Sequence, residues 1–262
     1  MEALTTFTDI LVENASILVP AMAVFIRLSA LIYVLPGIGE AAIPVRIRLA
    51  VAFGVSVMLI PIVTPAYAAV EYQVSDVAVL LIIEAIYGLL LGFAFRMLVF
   101  TLQILGNIVS QALSISQVLG EGIATEPNTT ISTLLMLTGT ALIVTMDLHV
   151  QAFGILLQSF EMFPLGAAPD LDHIAYWLSH KAMQAFSIGV SLALPFIILN
   201  FVYNLILGFL NRAMPQLMVS FVGMPAITGA GLFLMVVATG GMLSAWVTLY
   251  FQSFEGFAGL AP

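Results

Sequence analysis

Apolar residues fill six long stretches of this chain, and polar residues are confined to the gaps and to a few internal positions. The stretches run from Ala15 to Leu35, Leu49 to Val63, Val74 to Phe100, Ile131 to Phe153, Ala182 to Leu210 and Leu217 to Phe254. A helix needs about 20 apolar residues to cross a bilayer, so the pattern predicts membrane-type helices in an all-α fold. The second stretch is short and meets Pro61 and Pro65, and Pro195 lies inside the fifth. Pro225, Gly229, Gly231 and the Gly240–Gly241 pair interrupt the sixth, which predicts kinks or separate half-helices there. No gap is long enough to hold a soluble domain.

Between the third and fourth stretches the pattern changes. Gln103, Asn107, Ser110, Ser114 and Gln117 recur at steps of four, three, four and three. On a helix they form one polar, uncharged stripe. Such a stripe hydrates a path without gripping a charged cargo. Hydrogen bonding between packed helices is the more common use of such residues in membrane bundles. Gly120, Glu121 and Gly122 follow, then Thr125, Glu126, Pro127 and Asn128, which reads as a polar loop.

Composition narrows the class. Of 262 residues, 62% are hydrophobic and 8% charged, against about 25% charged in a soluble domain. Lipid or protein partners must cover so apolar a surface. A net charge of -8 argues against nucleic acid. Without cysteine there are no disulfides, thiolate metal sites or cysteine nucleophiles. The opening residues carry only Glu2, Asp9 and Glu13 as charges, unlike a cleaved secretory signal. Arg46, Arg48, Arg96 and Arg212 fall on one side of a six-span arrangement, Arg96 at the end of the third stretch. The positive-inside rule makes that side cytoplasmic and both termini periplasmic, with Lys181 the exception.

Arg27, Glu84 and Arg96 stand in apolar surroundings, where a charge marks a pathway or a partner. Glu84 and Arg96 are twelve residues apart, about 18 Å along a helix, so each must meet another helix or subunit. Gly88 and Gly92 form a GxxxG pair that admits a neighbouring helix closely. Asp147, His149, His173 and His180 lack metal-ligand spacing, and neither HExxH, a Walker loop nor GxSxG is present. No cofactor and no catalysis are expected. Met214, Met218 and Met224 read as packing.

Three stretches carry a resemblance to a known family. The first, RLSALIYVLPGIGEAAIPVRIRLAVAF, places Arg27, Pro36, Ile43-Pro44, Arg46 and Arg48 in order. The second is Gly106 to Pro127. The third, ALPFIILNFVYNLILGFLNRAMPQLMVSFVGMP, carries Pro195, Asn204, Gly208, Asn211, Arg212, Pro215, Gln216, Gly223 and Pro225. Together they resemble the FliR family of the flagellar type III protein-export gate. The related injectisome subunit shares Pro215-Gln216 and much of the rest, while Asn211-Arg212 and Val222-Gly223 look more like the flagellar branch.

The resemblance implies a structural, pore-forming and gating subunit that helps unfolded flagellar proteins cross the bacterial inner membrane at the centre of the basal body. It implies FliP-like and FliQ-like partners, contact with FlhB-like and FlhA-like proteins, and membrane lipids around the assembly. One domain spans 1–262, with a FliP-like part over 1–180 and a FliQ-like part over 181–262, and its apolar hairpins are lifted out of the bilayer plane. By position, Gln103, Asn107, Ser110, Ser114, Gln117, Gly120, Glu121 and Gly122 would line or plug the pore. Arg27, Glu84, Gly88, Gly92, Arg96, Pro195, Asn211, Arg212, Pro215, Gln216 and Pro225 would serve packing and subunit contacts. The chain departs from the pattern at Asn107, where the family commonly has Glu, and at Ser110 and Ser114, where it commonly has Gly. Asp147-Leu148-His149 replaces a more usual Gly-His arrangement, and a longer C-terminal tail is not expected. The alternatives are a secondary transporter using Glu84, Arg96 and Asp147, or an intramembrane enzyme, for which no acid–base or nucleophile constellation is visible.

Overall fold

The computed structural model describes residues 15–40, 42–67, 74–113, 129–214 and 219–255. Among them the regular structure is helical: α1 (Ala15–Val34), α2 (Val45–Val63) with a 3-10 turn (Thr64–Tyr67), α3 (Val74–Ala112), α4 (Thr130–Thr145), α5 (Leu148–Met162), α6 (Leu171–Ala213) and α7 (Val219–Glu255). Five of these are long and apolar enough to cross a membrane, or six crossings if the α4–α5 pair counts as one.

Several boundaries differ from the hydropathy reading. Residues 101–112 continue α3, so Arg96 lies inside the helix and not at its end. No proline interrupts that region, and isolated Asn, Gln and Ser are tolerated in a helix interior. The fourth stretch breaks at Met146–Asp147, where Asp147 has φ +55°, a left-handed conformation that Asp adopts more readily than most residues. α6 begins at Leu171, eleven residues before the apolar run, so His173 and His180 are helical. Its start is fixed by Asp170, whose Oδ1 accepts from the N–H groups of Asp172 (3.1 Å) and His173 (3.2 Å), satisfying two of the first-turn donors. The sixth stretch is one unbroken helix through Pro225, not half-helices.

The long helices exceed what a bilayer asks of them. α6 has 43 residues, about 65 Å of helix against roughly 30 Å of hydrocarbon.

The chain forms two compact units. In the described residues, the first comprises 15–96 and 143–179, and the second 97–142 and 180–255. In the first, α1 packs on α2 with Phe25 edge-on to Phe53 at 6.5 Å and buries Ala23, Val24, Leu28 and Leu31. α3 approaches α1 through Gly88 and Gly92. A methyl group on Gly92 would lie 2.9 Å from both the Leu31 carbonyl oxygen and Val34 Cβ, and one on Gly88 would collide with the Arg27 carbonyl. Small residues are the usual route to such close helix contact in membranes.

In the second unit the buried side chains come from α3 (Leu102, Leu105, Val109), α4 (Ile131, Leu135), α6 (Ala193, Phe196) and α7 (Ile227, Trp246). Trp246 donates its indole N–H to the Leu98 carbonyl at 2.8 Å. Gly189 of α6 meets Thr101 and Ile104 of α3, and Gly106 of α3 meets the Ser132 backbone of α4.

These contacts separate tight glycines from open ones. Gly88→Ala is expected to destabilise the purified protein by about 1–3 kcal/mol, because the obstructing atom is backbone. Gly208 has open space around it, so Gly208→Ala should be neutral or stabilising by up to about 1 kcal/mol through helix propensity. Thermal melts in one detergent check the contrast. Equal midpoints for both variants would contradict the α1–α3 packing.

Candidate functional site

The first unit is centred on a buried arginine. Arg27 of α1 and Glu84 of α3 are both fully buried. Arg27 Nε donates to Glu84 Oε2 at 2.6 Å. Its Nη1 donates to the Ser159 carbonyl (3.0 Å) and Oγ (3.1 Å), and its Nη2 to the Phe163 carbonyl (2.9 Å). The second carboxylate oxygen, Glu84 Oε1, accepts from the Gly166 N–H at 3.2 Å. The guanidinium lies over Phe160, 4.0 Å from the ring centroid, and 5.2 Å from that of Tyr87. Tyr87 stacks on Phe163 at 4.6 Å and donates its hydroxyl to the Ala167 carbonyl at 3.1 Å.

Each polar contact has a reason. A buried charge without partners costs several kcal/mol, so the pair survives only if its remaining donors and acceptors are met. Ser159 lies in the last turn of α5 and its carbonyl already accepts the N–H of the cap residue Phe163 at 2.9 Å, while the Phe163 carbonyl lies past the helix end, where carbonyls lack intrahelical partners. Arg27 takes those carbonyls and binds them to α1. Gly166, at φ +76°, turns the α5–α6 connection so that its N–H reaches Glu84. Ser159 donates its own hydroxyl to the Leu156 carbonyl at 2.6 Å, leaving the oxygen to accept from Arg27.

A second basic cluster holds the α1–α2 turn. Arg96 lies 3.7 Å from the Glu40 carboxylate and donates to the Val34 carbonyl at 3.3 Å. Arg48 donates to the carbonyls of Ile43 (3.0 Å) and Glu40 (2.7 Å). Glu84 and Arg96 therefore belong to separate pairs, each with a partner outside α3, and Asp147 is exposed.

The remaining candidates are distributed. Pro195 is inside α6 and exposed, and leaves the Ser191 carbonyl without its helical donor. Asn211 and Arg212 are exposed in the last turn of α6, where a cation suits the helix dipole. Pro225 is exposed near the start of α7, while Pro215 and Gln216 lie outside the described residues.

The polar stripe divides in the same way. Gln103, Asn107 and Ser110 share one face of α3, while Ser114, Gln117, Gly120, Glu121 and Gly122 lie outside the described residues. Gln103 and Asn107 are half-buried, and Ser110 is only 3% exposed, packed inside the unit. This face receives the start of α4. Asn107 Oδ1 accepts from the Thr129 hydroxyl at 3.2 Å, and the Gln103 carbonyl accepts from the Ser132 hydroxyl at 3.3 Å. At the end of α3, the Leu113 carbonyl accepts from the Thr228 hydroxyl of α7 at 2.9 Å.

Sequence reading missed Tyr87, Ser159, Thr129, Ser132 and Thr228. Thr129 had a signal, as a cap residue directly before an apolar helical run. The others are single polar residues in apolar helices, and nothing in spacing assigns their partners. Among the described residues, no group of three or more His, Asp or Glu side chains converges as a metal site would require.

The buried pair makes a direct claim about stability. Arg27→Met and Glu84→Leu should each cost about 3–5 kcal/mol, because each strands one buried charge. The double variant should cost clearly less than their sum. Thermal unfolding of the three proteins in detergent measures this, and simple additivity would show that the pair is not coupled.

Comparison with known proteins places the chain in a family. Residues 18–253 match the family described as bacterial export proteins, family 1. The chain is 30% identical over 238 residues to the flagellar biosynthetic protein FliR of Caulobacter vibrioides, covering 90% of this chain and 95% of that one. It is 28% identical over 213 residues to FliR of Escherichia coli, covering 80% of each. With FliR of Aquifex aeolicus it shares 24% identity over 245 residues, 93% of each. The match spans every described helix, from the buried arginine of α1 to the last turns of α7, and the chain belongs to bacterial export protein family 1, the FliR family.

Proposed function

We propose that this chain is a structural, pore-forming and gating subunit of the flagellar type III protein-export apparatus in the bacterial inner membrane. Family membership over nearly the whole chain carries the reading. The relatives' shared name, flagellar biosynthetic protein, favours the flagellar branch over the injectisome. The surface supports a place inside an assembly. Phe209 of α6 is 74% exposed and Val236 of α7 is 80% exposed, with many apolar neighbours on the same helices. Helices roughly twice as long as the hydrocarbon is thick need cover beyond lipid. FliP-like and FliQ-like subunits supply it, with FlhB-like and FlhA-like proteins at the same gate. The helices rise out of the bilayer plane at the centre of the basal body, and unfolded flagellar proteins are the cargo. The chain performs no catalysis.

Within that reading, the stripe that begins at Gln103 borders the path of the cargo. Ser114, Gln117, Gly120, Glu121 and Gly122 continue it as the plug. Arg27, Glu84, Gly88, Gly92 and Arg96 hold the subunit together, and Asn211, Arg212, Pro215, Gln216 and Pro225 belong to the α6–α7 end that meets neighbours. The separate pairing of Glu84 and Arg96 speaks against an ion-coupled site shared with Asp147.

Two measurements test the proposal. Native mass spectrometry of the tagged chain, co-expressed with the FliP-like and FliQ-like proteins of its own genome, should show one copy in a defined hetero-oligomer. A stable monomer or homo-oligomer that ignores those partners would refute it. In the assembled complex, Gln103→Arg and Gln117→Arg should alter small-ion leak and export more than they alter the yield of complex. Equal loss of complex in every stripe variant would remove the stripe from the path.

A further inference from the structure

Thr129, the residue directly before α4, joins two helices through one hydroxyl. Its Oγ1 accepts from the Ser132 N–H at 3.3 Å, capping the first turn of α4. The hydroxyl proton is then free to donate, and it faces Asn107 Oδ1 at 3.2 Å and the Gly106 carbonyl at 3.4 Å. The Thr129 N–H reaches the same Asn107 Oδ1 at 3.5 Å. Two donors converge on one amide atom, so the amide turns its oxygen to α4. One turn along, Ser132 donates to the Gln103 carbonyl at 3.3 Å, and Gly106 leaves room for the Ser132 backbone.

We propose that Asn107 and Thr129 form a neutral clamp, and that Asn107 serves conduction as a positioning residue. It sets the first turn of α4 against the polar face of α3 instead of presenting its amide to the moving cargo. The proposal rests on the conduit reading above. Three observations favour it over a side chain turned to the path. The acceptor oxygen is already engaged by two donors. Of the two α3 acceptors that the capping hydroxyl faces, Asn107 Oδ1 at 3.2 Å is nearer than the Gly106 carbonyl at 3.4 Å, and it alone also takes the Thr129 N–H. The adjacent Gly106–Ser132 contact holds the two backbones at the spacing the clamp needs.

The test uses the complete chain in its assembled complex, with hydrogen–deuterium exchange at residues 130–133 and ion leak from vesicles as paired readouts. Thr129→Val and Asn107→Leu should each raise exchange about fivefold to thirtyfold, the worth of one or two kcal/mol of lost contacts. Both should change leak in the same direction, and the double variant should be no worse than the stronger single one. Thr129→Ser keeps the hydroxyl and Asn107→Asp keeps an acceptor oxygen, so exchange in these two should stay near the wild-type value. A changed leak in Asn107→Leu with wild-type exchange would overturn the proposal, because the side chain would then act on the path directly. Multiplying effects in the double variant would overturn it as well. Loosened exchange with unchanged leak would overturn the positioning role. If Gln103→Arg also left leak untouched, the conduit reading itself would have failed.

Discussion

A buried arginine must be fully partnered, and the first unit of this protein is arranged around that demand. Arg27 leaves no charge exposed and is met by a carboxylate, two carbonyls, a hydroxyl and an aromatic face. These groups come from α3, α5 and the turn that follows α5, and Arg27 ties them to α1. A hydrophobic pair of similar volume would hold such helices together at least as strongly. What the ion pair adds is direction. Hydrocarbon surfaces slide past one another at small cost, whereas a guanidinium with four bonded contacts accepts one register. In a chain that is 62% hydrophobic, register is the scarce property.

The same scarcity explains the glycines. Apolar helices in lipid gain little from hiding apolar surface, so contact must come from close packing and a few polar groups. Gly88 and Gly92 let α3 reach the α1 backbone beside Arg27. The salt bridge and the close approach therefore support each other. A wider helix separation would stretch a 2.6 Å bond, and an unpaired charge would remove the reason for the separation. Gly106 has the same relation to Ser132 and to the Thr129 clamp.

Much of this was legible in the sequence, and the failures share a cause. The all-α class and six apolar stretches followed from hydropathy, because length and polarity are local properties. That Glu84 and Arg96 cannot pair with each other followed from helix rise. Their partners did not follow, since Ser159 lies 132 residues from Arg27 and no spacing rule spans that distance. The start of α6 was missed for a different reason. The hydropathy reading began at Ala182, but the helix begins where Asp170 caps it, in a polar region. Hydropathy sees lipid-like composition and is blind to a polar helical extension. Of the kinks or half-helices expected at Pro225 and the α7 glycines, separate half-helices are not found, since α7 is continuous across them. Pro225 is the seventh residue of α7 and forgoes one helical hydrogen bond, and glycines cost about 1 kcal/mol each in a helix interior, which the rest of a long helix absorbs.

The two polar devices differ in strength in a way that fits their positions. Around Arg27, loss of a single partner leaves a charge stranded in an apolar interior, at about 3–5 kcal/mol. Between α3 and α4, every group is neutral, and each hydrogen bond contributes about 1 kcal/mol net. A single competing polar contact has enough energy to exchange one such bond for another, but not enough to open a buried ion pair. The first unit is thus built to stay as folded. The joint between α3 and α4 is held by neutral contacts that can be traded, beside the polar face of Gln103 and Asn107.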